Sequence, residues 1–198
     1  MADDKNSRDK KGLRDEKRQM ERDMSEARRR MGEEPPIEEG DLEELEDELV
    51  GLNFPATGAE VVEEVGDRVV ESVAQTYTVK ELVPDTEVET YESPSAVRER
   101  VQRPSVAASM KRIAEAVDTV SLTEFDTSQR NTYEKTLREL REIDADDHDE
   151  GVEVVTDWIV EQIREKEKLP SSRAVRRHAS KFCRENGYPI SKDSWLGV

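Results

Sequence analysis

From Pro104 onward the apolar residues fall into four successive stripes at helical spacing, and such stripes are buried by packing helices on one another. Met110, Ile113, Ala114 and Val117 stand at i, i+3, i+4 and i+7. Tyr133, Leu137 and Leu140 form a second stripe on a helix predicted over about 128–143. There Glu134–Arg138 and Lys135–Glu139 place opposite charges four residues apart. A third helix is predicted from near Val152, with Val155, Trp158, Ile159 and Ile163 on one face. Leu169-Pro170 ends it, and Ser171 or Ser172 can cap a fourth helix. In that helix Val175, Ala179, Phe182 and Cys183 make the buried face, and Asn186-Gly187 makes the stop. Tyr188, Trp195 and Leu196 are expected to fold back onto the bundle.

Residues 52–103 have a different pattern. Thr57 is a natural N-cap, with Glu60 completing a capping box; Val61, Val62 and Val65 supply a buried face before Gly66. "DRVVES" and "TEVETY" are short, β-rich and roughly alternating, so two strands are expected, with one helical turn in "TYTVKELVP" between them. Ser93-Pro94 opens a further helix. The expected class is α+β: a small α+β module over 52–103, then a mostly helical region over 104–198.

These residues also carry a resemblance. "FPATGAEVVEEVGDRVVE" followed by "YTVKELVPDTEVETYESPSAVRE" resembles a family of small haloarchaeal proteins of unknown function. Its marks are an aromatic-Pro-x-Thr start, a helix ending in Gly-Asp, a "TV-x-EL" turn and a "TY-x-SP" helix start. The resemblance covers roughly residues 52–98. It implies a haloarchaeal source and a small α+β fold, with no established chemistry and no site residues to carry over.

Charge divides the rest of the chain. Residues 33–50 hold ten acidic and no basic residues, and residues 145–162 hold seven and none. With 48 Asp and Glu against 31 Lys and Arg, the formal net charge is -17. Arg outnumbers Lys by 20 to 11, and acidic, lysine-poor chains look like proteins of salt-accumulating archaea. At molar salt the Debye length falls to about 3 Å, so such acidity speaks of solubility more than of partners. Only 33% of residues are hydrophobic, too few for tight packing throughout.

Residues 1–40 read as a charged flexible arm, although Leu13, Lys17, Met20, Met24, Ala27 and Met31 keep a short heptad spacing that a partner or a second copy could use. Residues 41–51 read as an acidic helix capped by Asp41. Its stripe of Leu42, Leu45 and Leu49 either packs on the neighbouring module or docks on a protein partner.

The exception to the acidity is "KLPSSRAVRRHASKFCRENG", residues 168–187. At 100° per residue from Arg173, the cations Arg176, Arg177, Lys181 and Arg184 all lie within about 80° of it, whereas the apolar group centres near 220°. Arginine suits bidentate contact with phosphate or guanine, and Ser171 and Ser172 open a helix N-terminus. The third and fourth helices have the dimensions of a helix-turn-helix, and "LPSSRAVRR" is similar to the turn of some winged-helix DNA-binding domains. Three readings follow: contact with DNA or RNA, docking on an acidic protein (including the chain's own residues 33–50), or a solvated outer face.

Catalytic patterns are missing. His148 and His178 are distant from one another and from a metal-ligand set. "DADDHDEG" reads as a solvated loop without EF-hand spacing, Cys183 reads as a core thiol, and there is no Gly-rich phosphate loop. The expectation is a non-enzymatic cytoplasmic protein without cofactor, metal, membrane span or small-molecule substrate. It binds nucleic acid through its basic helix or, alternatively, acts as an adaptor through its N-terminal arm and acidic helix, with a protein partner or as a homodimer.

Overall fold

A computed structural model describes residues 37–72, 75–120, 125–143 and 150–188 of the 198-residue chain. The heptad-spaced arm, His148, Trp195 and Leu196 lie outside the described residues.

The first helix, α1 (Glu39–Leu49), buries Leu42, Leu45 and Leu49. They join Val61, Val65, Val70, Val79, Leu82 and Val97 in one hydrophobic cluster. The leucine stripe thus packs on the neighbouring module, the first of the two readings that its spacing allows. Each buried leucine contributes about 1.5–3 kcal/mol by leaving water, and docking on a partner would first have to undo that burial. The carboxylates of α1 are engaged within the chain as well. Arg68 pairs with Glu44 at 2.6 Å and with Glu48, and Arg98 pairs with Glu46 at 2.7 Å and with Glu39. Asp41 is not the cap expected. The helix begins two residues earlier, and the Asp41 carboxylate accepts the Glu71 N–H at 2.7 Å.

The expected capping box is present where β1 (Ala56–Thr57) meets α2 (Gly58–Val65). Thr57 Oγ1 accepts the Glu60 N–H at 3.2 Å, and the Glu60 carboxylate accepts the Thr57 N–H at 2.7 Å. The Thr57 N–H and the Thr57 hydroxyl, which donates to the same carboxylate at 2.9 Å, hold the Glu60 carboxyl below its ordinary value. Ser93 likewise caps α4 (Pro94–Val101), accepting the Ala96 N–H.

Both expected strands form, in "DRVVES" and at the end of "TEVETY", and each pairs with a short strand that was not expected. β2 (Val69–Glu71) pairs antiparallel with β3 (Thr76–Thr78), from the segment assigned to a helical turn, and β4 (Thr90–Tyr91) pairs with β1. The reason is local. "TYT" alternates and carries β-branched residues, and it follows "VVE" closely enough for the Ser72 N–H to bond the Gln75 carbonyl at 3.0 Å. Thr78 then caps the single turn α3 (Val79–Leu82), in a second capping box with Glu81.

Four longer helices complete the α+β architecture: α5 (Pro104–Val120), α6 (Thr127–Ile143), α7 (Glu150–Lys166) and α8 (Ser172–Glu185). The helical stripes are where spacing placed them. Met110, Ile113, Val117, Tyr133, Leu137, Leu140, Val155, Ile159, Ile163, Val175, Ala179 and Cys183 share one core. α7 begins at Glu150, ahead of the Val152 start expected from sequence, with Glu150 and Glu153 in its first turn, where the helix dipole favours negative charge.

α5 links the two cores: Ala107 belongs to the first, and Val106 and Met110 to the second. Beside it lies a buried ionic cluster. Arg100 of α4 pairs with Glu89 and, at 3.5 Å, with Glu134 of α6. Among the described residues no helix is long and apolar enough to cross a membrane.

Candidate nucleic-acid interface

α8 is set in place at both ends by its own sequence. Ser171 Oγ accepts the Ala174 N–H at 3.2 Å and starts the helix. Asn186 closes it, and Gly187 follows at φ +76°, the left-handed region that glycine enters without steric cost. α6 fixes the approach to the helix. The Tyr133 hydroxyl donates to the Pro170 carbonyl, as does the Gln129 side-chain amide at 3.0 Å. Burial pushes the Tyr133 phenol up, although the Gln129 contact opposes this, so the hydroxyl keeps its proton and remains a donor. The turn at 167–170 is thus clamped onto α6, with Glu167 in the left-handed conformation at φ 48°.

The two faces of α8 are separated as the helical projection requires. Val175, Ala179, Phe182 and Cys183 are buried, and Phe182 stacks against Tyr188 with ring centroids 6.0 Å apart. Arg173, Arg177, Lys181 and Arg184 are exposed. Lys181 reaches Glu185 at 3.7 Å; among the described residues, Arg173, Arg176, Arg177 and Arg184 have no carboxylate partner. The carboxylates of α1 that form ion pairs do so with Arg68 and Arg98, and among the described residues of 33–50 none pairs with a cation of α8.

Of the predicted contact residues, Ser171 is exposed and acts as the cap, and Ser172 is half-buried. Arg176 stands apart from the other cations. It is half-buried, and its Nε is shut from solvent without an acceptor among the described residues. It lines a groove of about 590 Å³ shared with Ser128, Asn131, Thr132 and Lys135 of α6. These four α6 residues were absent from the sequence-based candidates. Their i, i+3, i+4, i+7 spacing was visible as a polar stripe without a carboxylate, but nothing in the sequence placed it beside α8.

His178 lies on the flank of α8 and stacks on Trp158 of α7, with ring centroids 4.3 Å apart and planes within 7°. Burial, helped by Lys181 and opposed by Glu185, moves the imidazole pKa below its ordinary value. Among the described residues no three His, Cys, Asp or Glu side chains form a group that could hold a metal ion.

Comparison with known proteins separates this surface from the rest of the chain. Residues 36–112 match a family described only as one of unknown function, DUF5789. The matched segment runs from α1 into the first half of α5, so it takes in the acidic helix together with the α+β module. It stops short of α6, α7 and α8. No curated protein and no solved structure matches the chain.

Proposed function

We propose that the chain is a non-enzymatic, nucleic-acid-associated protein that contacts DNA or RNA through α8. The observation that carries this is the exposed row Arg173, Arg177 and Arg184, without a carboxylate partner among the described residues, on the face opposite a fully packed stripe. In a chain of net charge -17, other arginines find acids, as Arg68, Arg98, Arg100 and Arg112 do. Guanidinium groups left unpaired on a rigid helix are preorganised for phosphate. The joined pair α7 and α8 is suited to act in the manner of a helix-turn-helix, with α8 as the inserting helix and residues 37–103 as its support.

The acidic composition fits work in molar salt, of the haloarchaeal kind. Salt there removes most of the counterion-release gain, so close and geometrically good contacts must supply the affinity.

The test is gel retardation of mixed DNA and RNA across a series of KCl concentrations. Retention is expected to weaken as KCl rises and to be lost when Arg173, Arg177 and Arg184 are changed to Ala together. No retention at any concentration, or equal retention by the triple variant, overturns the reading.

A further inference from the structure

The groove between α6 and α8 has a composition that the rest of the chain does not lead one to expect. Asp and Glu make up 48 of 198 residues, yet among the described residues the groove is lined by Thr, Ser and Asn side chains with Lys135 and Arg176, and by no carboxylate. Neither cation has an ion-pair partner among the described residues. Thr132 uses its hydroxyl proton on the Ser128 carbonyl at 2.9 Å. Thr136 likewise donates to the Thr132 carbonyl at 2.8 Å, so the donors left for a ligand are the Thr127 and Ser128 hydroxyls, the Asn131 amide, the Lys135 ammonium and the Arg176 guanidinium.

All of these are donors to an anion, and their mix of charged and neutral groups matches a phosphate group, with several oxygens to satisfy. The Arg176 Nε, already out of water and lacking an acceptor among the described residues, is a donor that such a group would complete. Lys135 and Asn131 are exposed at the mouth, where they meet a ligand entering from solvent.

We infer that this groove is a phosphate seat, holding one backbone phosphate while the exposed arginines of α8 lie along the strand. The inference rests on the nucleic-acid reading and deepens it by dividing the labour between two sets of cations. The exposed set acts through long-range attraction, which salt screens within a few Å. The groove set acts through direct, partly desolvated hydrogen bonds, which salt weakens less. Arg176 thus belongs with α6 in its function, although sequence groups it with its neighbours on α8.

The test uses the full chain, a fluorescein-labelled duplex and a labelled single-stranded RNA, read by anisotropy from low to molar KCl. Two variants are compared: Lys135→Gln with Asn131→Ala, and Arg173→Ala with Arg177→Ala. All four positions are exposed, and thermal unfolding confirms that each variant folds. The groove variant is expected to lose about tenfold in affinity at every salt concentration, molar KCl included, which is about 1.4 kcal/mol. The α8 variant is expected to flatten the salt slope by about two on the duplex. Calorimetry with pyrophosphate gives a second arm, in which the wild type binds and the groove variant does not.

If nucleic acid is retained but the groove variant binds both ligands as the wild type does, the phosphate seat is wrong and the nucleic-acid reading stands. If no nucleic acid is retained while pyrophosphate binds and the groove variant loses it, the seat stands with a free phosphate as its ligand, and the nucleic-acid reading falls. If neither ligand binds, both fall.

Discussion

Replacing Arg100 with Leu should cost far more stability than removing an ordinary ion pair. The Arg100 side chain is 8% exposed and that of Glu89 3%, whereas Glu134 keeps 25% of its surface in water. Burial by itself disfavours the guanidinium charge, but Glu89, Tyr91 and Glu134 more than reverse that and hold its pKa above the ordinary value. The Arg100→Leu change strands Glu89 in the interior without a counter-charge, a situation that costs about 3–5 kcal/mol. Glu134 can rehydrate and adds little. Against a domain stability of about 5–15 kcal/mol, the loss is easily measured by urea unfolding. It should be nearly the same in low salt and in about 2 M KCl, because a buried pair is screened little. Changing Glu89 to Leu as well should recover most of it, since an apolar replacement of a whole buried pair is often neutral. A loss below about 1 kcal/mol, typical of exposed pairs, would refute the argument, as would a double variant no better than the single one.

Two other outcomes follow from local geometry. A Cβ at Gly58 would meet the Pro84 carbonyl oxygen at 2.1 Å, so Gly58→Ala should lower stability by about 1–3 kcal/mol, and an unchanged urea midpoint would contradict this close approach. His178 has a folded-state pKa below its ordinary 6.5, so the unfolded chain takes up the proton first as pH falls. Stability from this group is complete above 6.5 and lost as pH drops from there toward the folded value. His178→Gln should flatten that fall, and an NMR titration of the imidazole with a midpoint at or above 6.5 would contradict burial as the dominant influence on it.

Where structure was written in local spacing, it was legible. The stripes of α5 to α8, the Thr57–Glu60 box, the Ser93 and Ser171 caps and the Asn186-Gly187 stop each involve residues a few positions apart, and helical geometry alone brings them together. Strand partners were less legible. "TYT" and "AT" are too short to show a period, and each gains its identity from the strand it pairs with. Asp41 was misassigned because a carboxylate near a helix start can cap it locally or, as here, accept a distant N–H. The match over 36–112 likewise extends the resemblance seen at 52–98, taking in the acidic helix that shares the module's core.

By itself the sequence determined that α8 would be amphipathic, with its cations on one side, because a helix converts residue spacing directly into facing. Only the tertiary structure decided what each face meets. Helices α1 and α8 carry comparable apolar stripes, and both stripes are buried. The carboxylates of α1 find Arg68 and Arg98, whereas among the described residues the cations of α8 find only Glu185, paired with Lys181. Packing likewise set Arg176 apart from its neighbours and placed it beside Lys135, 41 residues earlier in the chain. Such pairings depend on how helices lie against one another, through contacts between residues far apart in sequence, and spacing along a single helix does not encode them.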